Sequence, residues 1–383
     1  MSEASAARPR LRVNVDATSL LEPLTGVGVF ARELVDGLAR RPDVDLGVFA
    51  VSWRGRELLA DVAPEGAAVH RRPLPARLAR AAWARTDLPS ARLLAGPADV
   101  VHGPNFVVPP GGGAVEVVTV HDLTALHHPE MCTADVLQWP GLLRRALRRG
   151  AWVHTVSEFV AEEVRAAFPD AGERVVAVPN GVRIPPPAAA GSSPADGCAL
   201  AGGERYLLAI GTVEPRKDLP GLVAAFDELA EADGELRLVI VGADGLAVAD
   251  LAAAVAASPA RDRIVRIGRV GDDERLALLR GASVVAYPSR YEGFGLVPLE
   301  AMAVGTPVVA TAVGAIPEVV GEAALLVPGG DPAALAGALG EVLDDGARRG
   351  ALIEAGHRRV AGFDWERTVD GLVALYRTAV DAR

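Results

Sequence analysis

Short runs of β-branched and apolar residues alternate with segments of helical period along almost the whole chain. In the first half the strand-like runs fall at residues 11–15, 46–51, 100–102, 115–121, 152–155 and 174–178. Helix-period segments lie among them at 29–40, 134–149 and 158–167. Alternation of this kind predicts a parallel sheet flanked by helices, because each strand must be carried back over a face of the sheet before the next one pairs. Asn180 and Gly181 then mark a turn.

Residues 184–203 break the pattern. They are rich in Pro, Ala, Gly and Ser, have no period, and read as an interdomain linker. The alternation then restarts, with strands expected at 206–211, 236–242, 264–267, 283–287, 307–310 and 324–327. Helices follow at 331–343 and 348–360, and a last one at 365–382 after a break at 362–364. No tandem repeat of solenoid period is present. The predicted organisation is an N-terminal Rossmann-like domain over 1–183, the linker over 184–203, and a second such domain over 204–364. The helix at 365–383 is expected to cross back to the first domain. A chain of 383 residues suffices for two cores.

Composition narrows the setting. Aromatic residues make up 4% of the chain, so the cores are built from Ala, Val and Leu. No apolar run reaches about 18 residues, residues 1–10 lack the apolar stretch of a secretion signal, and Cys132 and Cys198 have no metal-ligand spacing. A reduced, cytoplasmic location is expected. The formal charge of −10 argues against general nucleic-acid binding. Residues 1–190 carry 21 basic and 21 acidic side chains, so the whole excess lies in residues 191–383. Of the 39 basic residues, Lys217 alone is a lysine. A single ammonium kept in a chain so biased towards arginine invites a chemical explanation.

Four motifs stand where strands give way to helices. Thr25-Gly26-Val27-Gly28 follows the first strand. Its glycines let backbone approach a ligand and a helix N-terminus favours an anion, although a plain tight turn is the other reading. Gly211-Thr212-Val213-Glu214-Pro215-Arg216-Lys217-Asp218 ends the first strand of the second half, just before a helix. Ligands of open α/β sheets bind outside the carboxyl ends of strands. The planar fork of Arg216 and the compact charge of Lys217 suit a diphosphate better than an idle solvated pair. The third motif, from Pro288 to Glu300, also leaves a strand and opens a helix. Gly293 and Gly295 expose amides, while Glu292 and Glu300 can accept hydrogen bonds from vicinal hydroxyls. Glu300 is the one carboxylate on a helix that is apolar nearly all round. A glycosidase pair is a poor reading, since retaining glycosidases keep their carboxyls about 5 Å apart whereas eight helical residues rise about 12 Å. Last, Thr119-Val120-His121-Asp122 puts an imidazole at a strand end, fit to orient a reacting hydroxyl or simply to serve the core. His102 ends the preceding strand and is a weaker candidate.

In this order the motifs resemble the retaining family-4 glycosyltransferases over residues 12–377, the linker apart. The E-x7-E signature, Glu292 and Glu300 within YEGFGLVPLEAMAVGTPVVAT, is the most specific part, followed by GTVEPRKDL. The resemblance implies an α/β chain of GT-B fold, two Rossmann-like doubly wound domains facing a central cleft, with the donor held mainly by the second. It matches Arg216 and Lys217 to the diphosphate-binding positions and Glu300 to the ribose carboxylate. It matches Glu292 to donor-sugar hydroxyls, with the Phe294 and Gly295 amides nearby, and Gly28 and Gly26 to a loop that closes on phosphate. His121 matches an active-site histidine beside the donor sugar. Substitution of Arg216 or Lys217 by alanine is then expected to cut turnover without unfolding the chain.

The expected reaction moves a hexose, first of all mannose from GDP-mannose, to an acceptor hydroxyl; UDP-glucose and UDP-N-acetylglucosamine rank next. No cofactor and no metal is expected, because no Asp-x-Asp pair lies near these motifs. The acceptor is a glycan, a lipid-linked sugar or a small molecule. Arg71, Arg72, Arg77, Arg80 and Arg85 mingle with Leu74, Leu78 and Trp83, and Arg144, Arg145, Arg148 and Arg149 crowd a helix end. Such a surface fits peripheral contact with an anionic membrane, or equally a solvated arginine-rich face. Two rival classes are a GT-B-fold sugar-nucleotide epimerase, which would turn over donor alone, and a non-catalytic nucleotide-sugar binder. The full set of motif side chains speaks against the second.

Overall fold

The structure, a computed structural model, describes residues 9–22, 25–188 and 191–383. Residues 1–8, most of the stretch read above for a secretion signal, lie outside the described residues. The chain forms two bodies. The first takes residues up to 127, 134–181 and 365–383; the second takes 128–133 and 182–364.

The first body is built on seven parallel strands: β1 (Leu11–Asp16), β2 (Val44–Phe49), β3 (Ala68–His70), β4 (Val100–Gly103), β5 (Val115–Val120), β6 (Trp152–Thr155) and β7 (Val175–Ala177). Their order is β3-β2-β1-β4-β5-β6-β7. Strands β4 to β6 are buried almost throughout, which is why they read as unbroken Val-rich runs rather than as alternating ones. Helix Gly26–Ala39 buries Phe30, Leu34 and Leu38, four residues apart on one stripe. Ser157 caps helix Glu158–Ala167 by accepting from the Val160 amide. Strand β3 was not predicted; it is a three-residue edge strand with no buried residue, so no apolar pattern marks it.

The second body repeats the plan with six parallel strands: β8 (Tyr206–Ile210), β9 (Arg237–Val241), β10 (Ile264–Gly268), β11 (Val284–Tyr287), β12 (Val308–Thr311) and β13 (Leu325–Val327). The order β10-β9-β8-β11-β12-β13 is that of a dinucleotide-binding sheet, reversing direction between β8 and β11. Val284 pairs with Leu207 and Val285 with Leu208, so the loops after β8 and β11 leave the sheet side by side. Leu222, Val223 and Phe226 of helix Leu219–Ala232 close one face over Leu207, Leu238 and Ile240.

The linker expectation is corrected. Residues 194–201 of that segment form helix Pro194–Ala201, which starts with a capping box between Ser193 and Asp196 and ends at left-handed Gly202. Gly197 lies so close to the Ala277 carbonyl of helix Asp272–Gly281 that a β-carbon there would collide with it. The small residues that suggested a flexible tether serve close helix packing. Among the described residues, no helix is long and apolar enough to cross a membrane.

Candidate active site

The reversal between β8 and β11 leaves a crevice at the carboxyl edge of the second sheet, and two of the four motifs flank it. After β8 the backbone turns at Gly211, whose φ of +153° suits glycine. A short 3-10 turn, Pro215–Lys217, then presents both cations ahead of helix Leu219–Ala232. After β11, Ser289 and Glu292 come in from the other side. The Glu292 Oε1 atom is the meeting point: the Lys217 ammonium donates to it at 2.6 Å, the Ser289 hydroxyl at 2.8 Å, and the Arg216 guanidinium lies at 2.8 Å. Lys217 also donates to the Tyr287 hydroxyl at 2.8 Å and sits over that ring. Arg216 is held from behind by Glu214 at 2.9 Å.

Burial alone would raise the Glu292 carboxyl, yet the charges of Arg216 and Lys217 outweigh it and bring it down to about 2. Burial lowers the Lys217 ammonium, with Glu292 opposing the shift. Burial, with Glu292 beside it, raises the Tyr287 phenol well above its ordinary value. A carboxyl at about 2 is anionic near neutral pH and is no general acid. What the cluster can do is hold a fixed acceptor and two cations around one point.

The two loops are tied to each other and to a third. The Arg290 amide donates to the Arg216 carbonyl at 2.7 Å, and the Arg290 guanidinium donates to Asp218 at 2.9 Å. Asp218 stands in the left-handed region with φ 46°, a strained place for a residue with a β-carbon, so this contact helps fix the end of the cation turn. The Glu292 carbonyl accepts from the Ala315 amide at 2.9 Å, and Gly314 passes so close to that carbonyl that no β-carbon fits. Phe294 is buried edge-on to Phe363, and Gly295 caps helix Leu296–Ala303 at φ +113°. Glu300 projects from that helix half-buried. Its carboxylate is gripped by both terminal nitrogens of Arg275, one of them at 2.7 Å from Oε1.

The remaining predicted residues lie in the first body. The glycine motif is a helix start rather than a loop: Gly26 and Gly28 fall in the first turn of helix Gly26–Ala39, three residues ahead of the predicted beginning. Its first internal hydrogen bond runs from the Val29 amide to Thr25, and Thr25 offers no side-chain cap. His121, just past β5, is half-buried beside Phe30 and Phe106. Its Nε2 meets the Pro104 carbonyl at 2.8 Å, so that nitrogen carries the proton and Nδ1 is the ring's acceptor. Burial lowers its pKa, which keeps the ring neutral. Asp122 does not hold the ring; its Oδ1 accepts from the Thr124 amide.

Residues 198–359 match the family model for glycosyl transferases group 1, and residues 24–184 match the one for Glycosyltransferase Family 4. O-antigen chain mannosyltransferase B of Escherichia coli is 29% identical across 93% of this chain and 96% of its own. The chain belongs to the family-4, group 1 glycosyltransferases. Solved structures share its fold. Sucrose-phosphate synthase from Thermosynechococcus elongatus superposes with a TM-score of 0.74 at 22% identity, covering 98% of this chain and 100% of that one. HepE of Anabaena, in complex with UDP and glucose, gives 0.70 at 17% identity, covering 96% and 100%. The fold is GT-B, with two Rossmann-like bodies as the sequence predicts.

Several groups in this glycosyltransferase escaped the sequence reading. Tyr287 and Ser289 bracket Pro288 at the head of the quoted motif, yet nothing local says that they face Lys217 and Glu292. Arg275 lies on another helix, and no spacing links it to Glu300. His102, the weaker candidate, is wholly buried between the Tyr376 hydroxyl at 2.6 Å and the Thr119 hydroxyl at 2.7 Å, a core role. Much of the arginine-rich surface is already engaged. Arg80 faces Asp135, Arg145 faces Asp87, Arg149 grips Glu116, and Arg144 covers the Phe168 ring. A cavity of about 220 Å³ lined by Arg12, Arg92, Asp99 and Gly112 opens at the amino ends of β1 and β5, the edge opposite to these motifs.

Proposed function

We propose that this glycosyltransferase moves a hexose, mannose from GDP-mannose, to an acceptor hydroxyl with retention of anomeric configuration. The observation that carries the reading is the convergence of Lys217, Arg216 and Ser289 on one oxygen of Glu292 at the switch point of the second sheet. Lys217 has three donors and spends two on Glu292 and Tyr287, so the third can reach a phosphate oxygen. Arg216, a quarter exposed, adds its fork. Together they stabilise negative charge as the bond from the anomeric carbon to the diphosphate breaks. The acceptor oxygen bonds to that carbon on the same face, and its proton passes to an oxygen of the departing phosphate. Glu292 Oε2 takes a donor-sugar hydroxyl, the backbone of Gly293, Phe294 and Gly295 follows it in the same loop, and Glu300 takes the ribose. The first body offers an anion-attracting helix start at Gly26 and Gly28 and the neutral ring of His121.

Mannose rests on the likeness to the mannosyltransferase, which spans nearly the whole of both chains, and GDP as its carrier on the look of the TGVG and GTVEPRK segments. With two cations available for the diphosphate, the proposal gives a metal no role. It places the enzyme in the cytoplasm, working on an acceptor at a membrane face. Exposed Trp53, Leu58, Leu78, Leu88 and Leu93 are interspersed along the sequence with exposed Arg54, Arg77, Arg85 and Arg92, a composition suited to contact with such a face. The test is nucleotide release from GDP-mannose, UDP-glucose and UDP-N-acetylglucosamine, with and without chelator, the freed sugar being followed by NMR. GDP-mannose should be consumed at equal rates in both conditions, with the α-anomer appearing first. Release from a UDP-sugar alone would reassign the donor, dependence on a divalent ion would restore a metal, and silence with all three would refute the activity.

A further inference from the structure

Glu300 is a flexible side chain on a two-turn helix, and a carboxylate free to turn loses conformational entropy each time it binds a ligand. Here it is not free. Arg275 reaches across from helix Asp272–Gly281 and donates from one terminal nitrogen to Oε1 and from the other to Oε2. A two-pronged grip fixes the carboxylate plane as well as its position, which a single ammonium contact does not. Each carboxylate oxygen has two acceptor sites; the guanidinium takes one on each and leaves one on each for hydroxyl donors. Both side chains are largely covered, with exposures of 28% and 21%, so the open part of the carboxylate is narrow and directed. The Glu300 charge and hydrogen bonds in turn raise the Arg275 pKa against the lowering effect of burial.

We propose that Arg275 is a positioning residue that presets Glu300 for a vicinal diol, and so makes the site select ribonucleotides over nucleotides lacking the ribose hydroxyls. The proposal rests on the reading of Glu300 as the ribose acceptor. Three other acidic residues, Asp272, Asp273 and Glu274, share the Arg275 helix, yet the Arg275 fork goes to Glu300.

The test is calorimetric titration of the full chain with GDP, UDP and their 2′,3′-dideoxy analogues. A hydrogen bond to a charged group implies a roughly ten- to hundredfold preference of the wild type for the ribonucleotide. In Arg275→Met that ratio should fall below about threefold, chiefly through weaker ribonucleotide binding, with dideoxy affinity little changed; a structural defect would weaken both alike. Arg275→Lys keeps the charge but not the fork and should fall between, which provides a reading if the methionine variant does not fold. An unchanged or larger ratio in either variant overturns the proposal. If Glu300→Gln abolishes the ratio while Arg275→Met preserves it, the ribose reading stands and the role of Arg275 alone fails. If wild type binds nucleotide with no penalty for the dideoxy form, both fail.

Discussion

Lys217 is the chain's one lysine, and it is among the few charged side chains buried in either body. Its ammonium is 2.6 Å from Glu292 and 2.8 Å from Tyr287, with a void of only about 10 Å³ beside it. That burial amends the expectation that its removal leaves the fold untouched. Taking one partner from a buried ion pair costs about 3–5 kcal/mol, and Arg216 stays to hold Glu292 here, which keeps the loss near the low end. Lys217→Met should therefore lower the melting temperature by several degrees and cut turnover by about a hundredfold or more. Lys217→Arg should not rescue it, because the void cannot take a guanidinium. Thermal melts and nucleotide release measured on the same samples decide this. Turnover within about threefold of wild type in Lys217→Met would remove the ammonium from the mechanism.

At the scale of elements, much was legible because parallel sheets impose a simple code. Every strand of the second body, and six of the seven in the first, announced itself as a short Val- or Leu-rich run between helices. The motifs at Gly211, Pro288 and His121 stand at carboxyl edges because they directly follow those runs, whereas the one at Gly26 begins well beyond Asp16, where its strand ends, and lies inside a helix. What sequence could not show is which strands become neighbours. Only the order β8-β11 sets the turn carrying Arg216 and Lys217 beside the loop carrying Glu292, turning two separately read motifs into one cluster. Composition also misled where small residues meant packing, as at Gly197 against Ala277. Its S-x-x-D capping box was readable and would have given the helix away. Arg275 was out of reach for a different reason: its partner lies 25 residues further on, on another helix.

On the scale of the whole molecule, the last helix, Trp365–Asp381, belongs to the first body, and a buried polar chain ties it there. The Val178 carbonyl can only accept, so His154 Nε2 carries the proton facing it at 2.9 Å. His154 Nδ1 then accepts from the Thr119 hydroxyl, whose oxygen accepts from His102 Nε2, and His102 Nδ1 accepts from the Tyr376 hydroxyl. Every group is satisfied only while both rings are neutral. Burial lowers His154 to about 3 and takes His102 well below 6.5. Because these folded values lie below the unfolded 6.5, the stabilisation is complete above about pH 6.5 and is lost as the pH falls, at about 1.4 kcal/mol per unit per ring. Asp16, which burial raises to about 6, acts in the opposite sense between about 6 and 3.8 and offsets one ring there. Glu292, brought to about 2, adds a further loss below 4.5 in the second body. All five tryptophans, Trp53, Trp83, Trp139, Trp152 and Trp365, lie in the first body, so their fluorescence reports on it alone. Urea midpoints followed this way should drop between pH 7 and 5, with a shallower drop in His154→Gln. A flat profile would mean that the rings are not held neutral.

The central claim is that Arg216, Lys217, Glu292 and Glu300 form the seat of a nucleotide-diphosphate sugar at the carboxyl edge of β8 and β11. Diffraction from crystals soaked in GDP-mannose tests it most directly. The account predicts diphosphate oxygens within hydrogen-bond reach of Arg216 and Lys217, a sugar hydroxyl on Glu292 and the ribose on Glu300. A nucleotide seated elsewhere, with those four side chains turned away from it, would contradict the account.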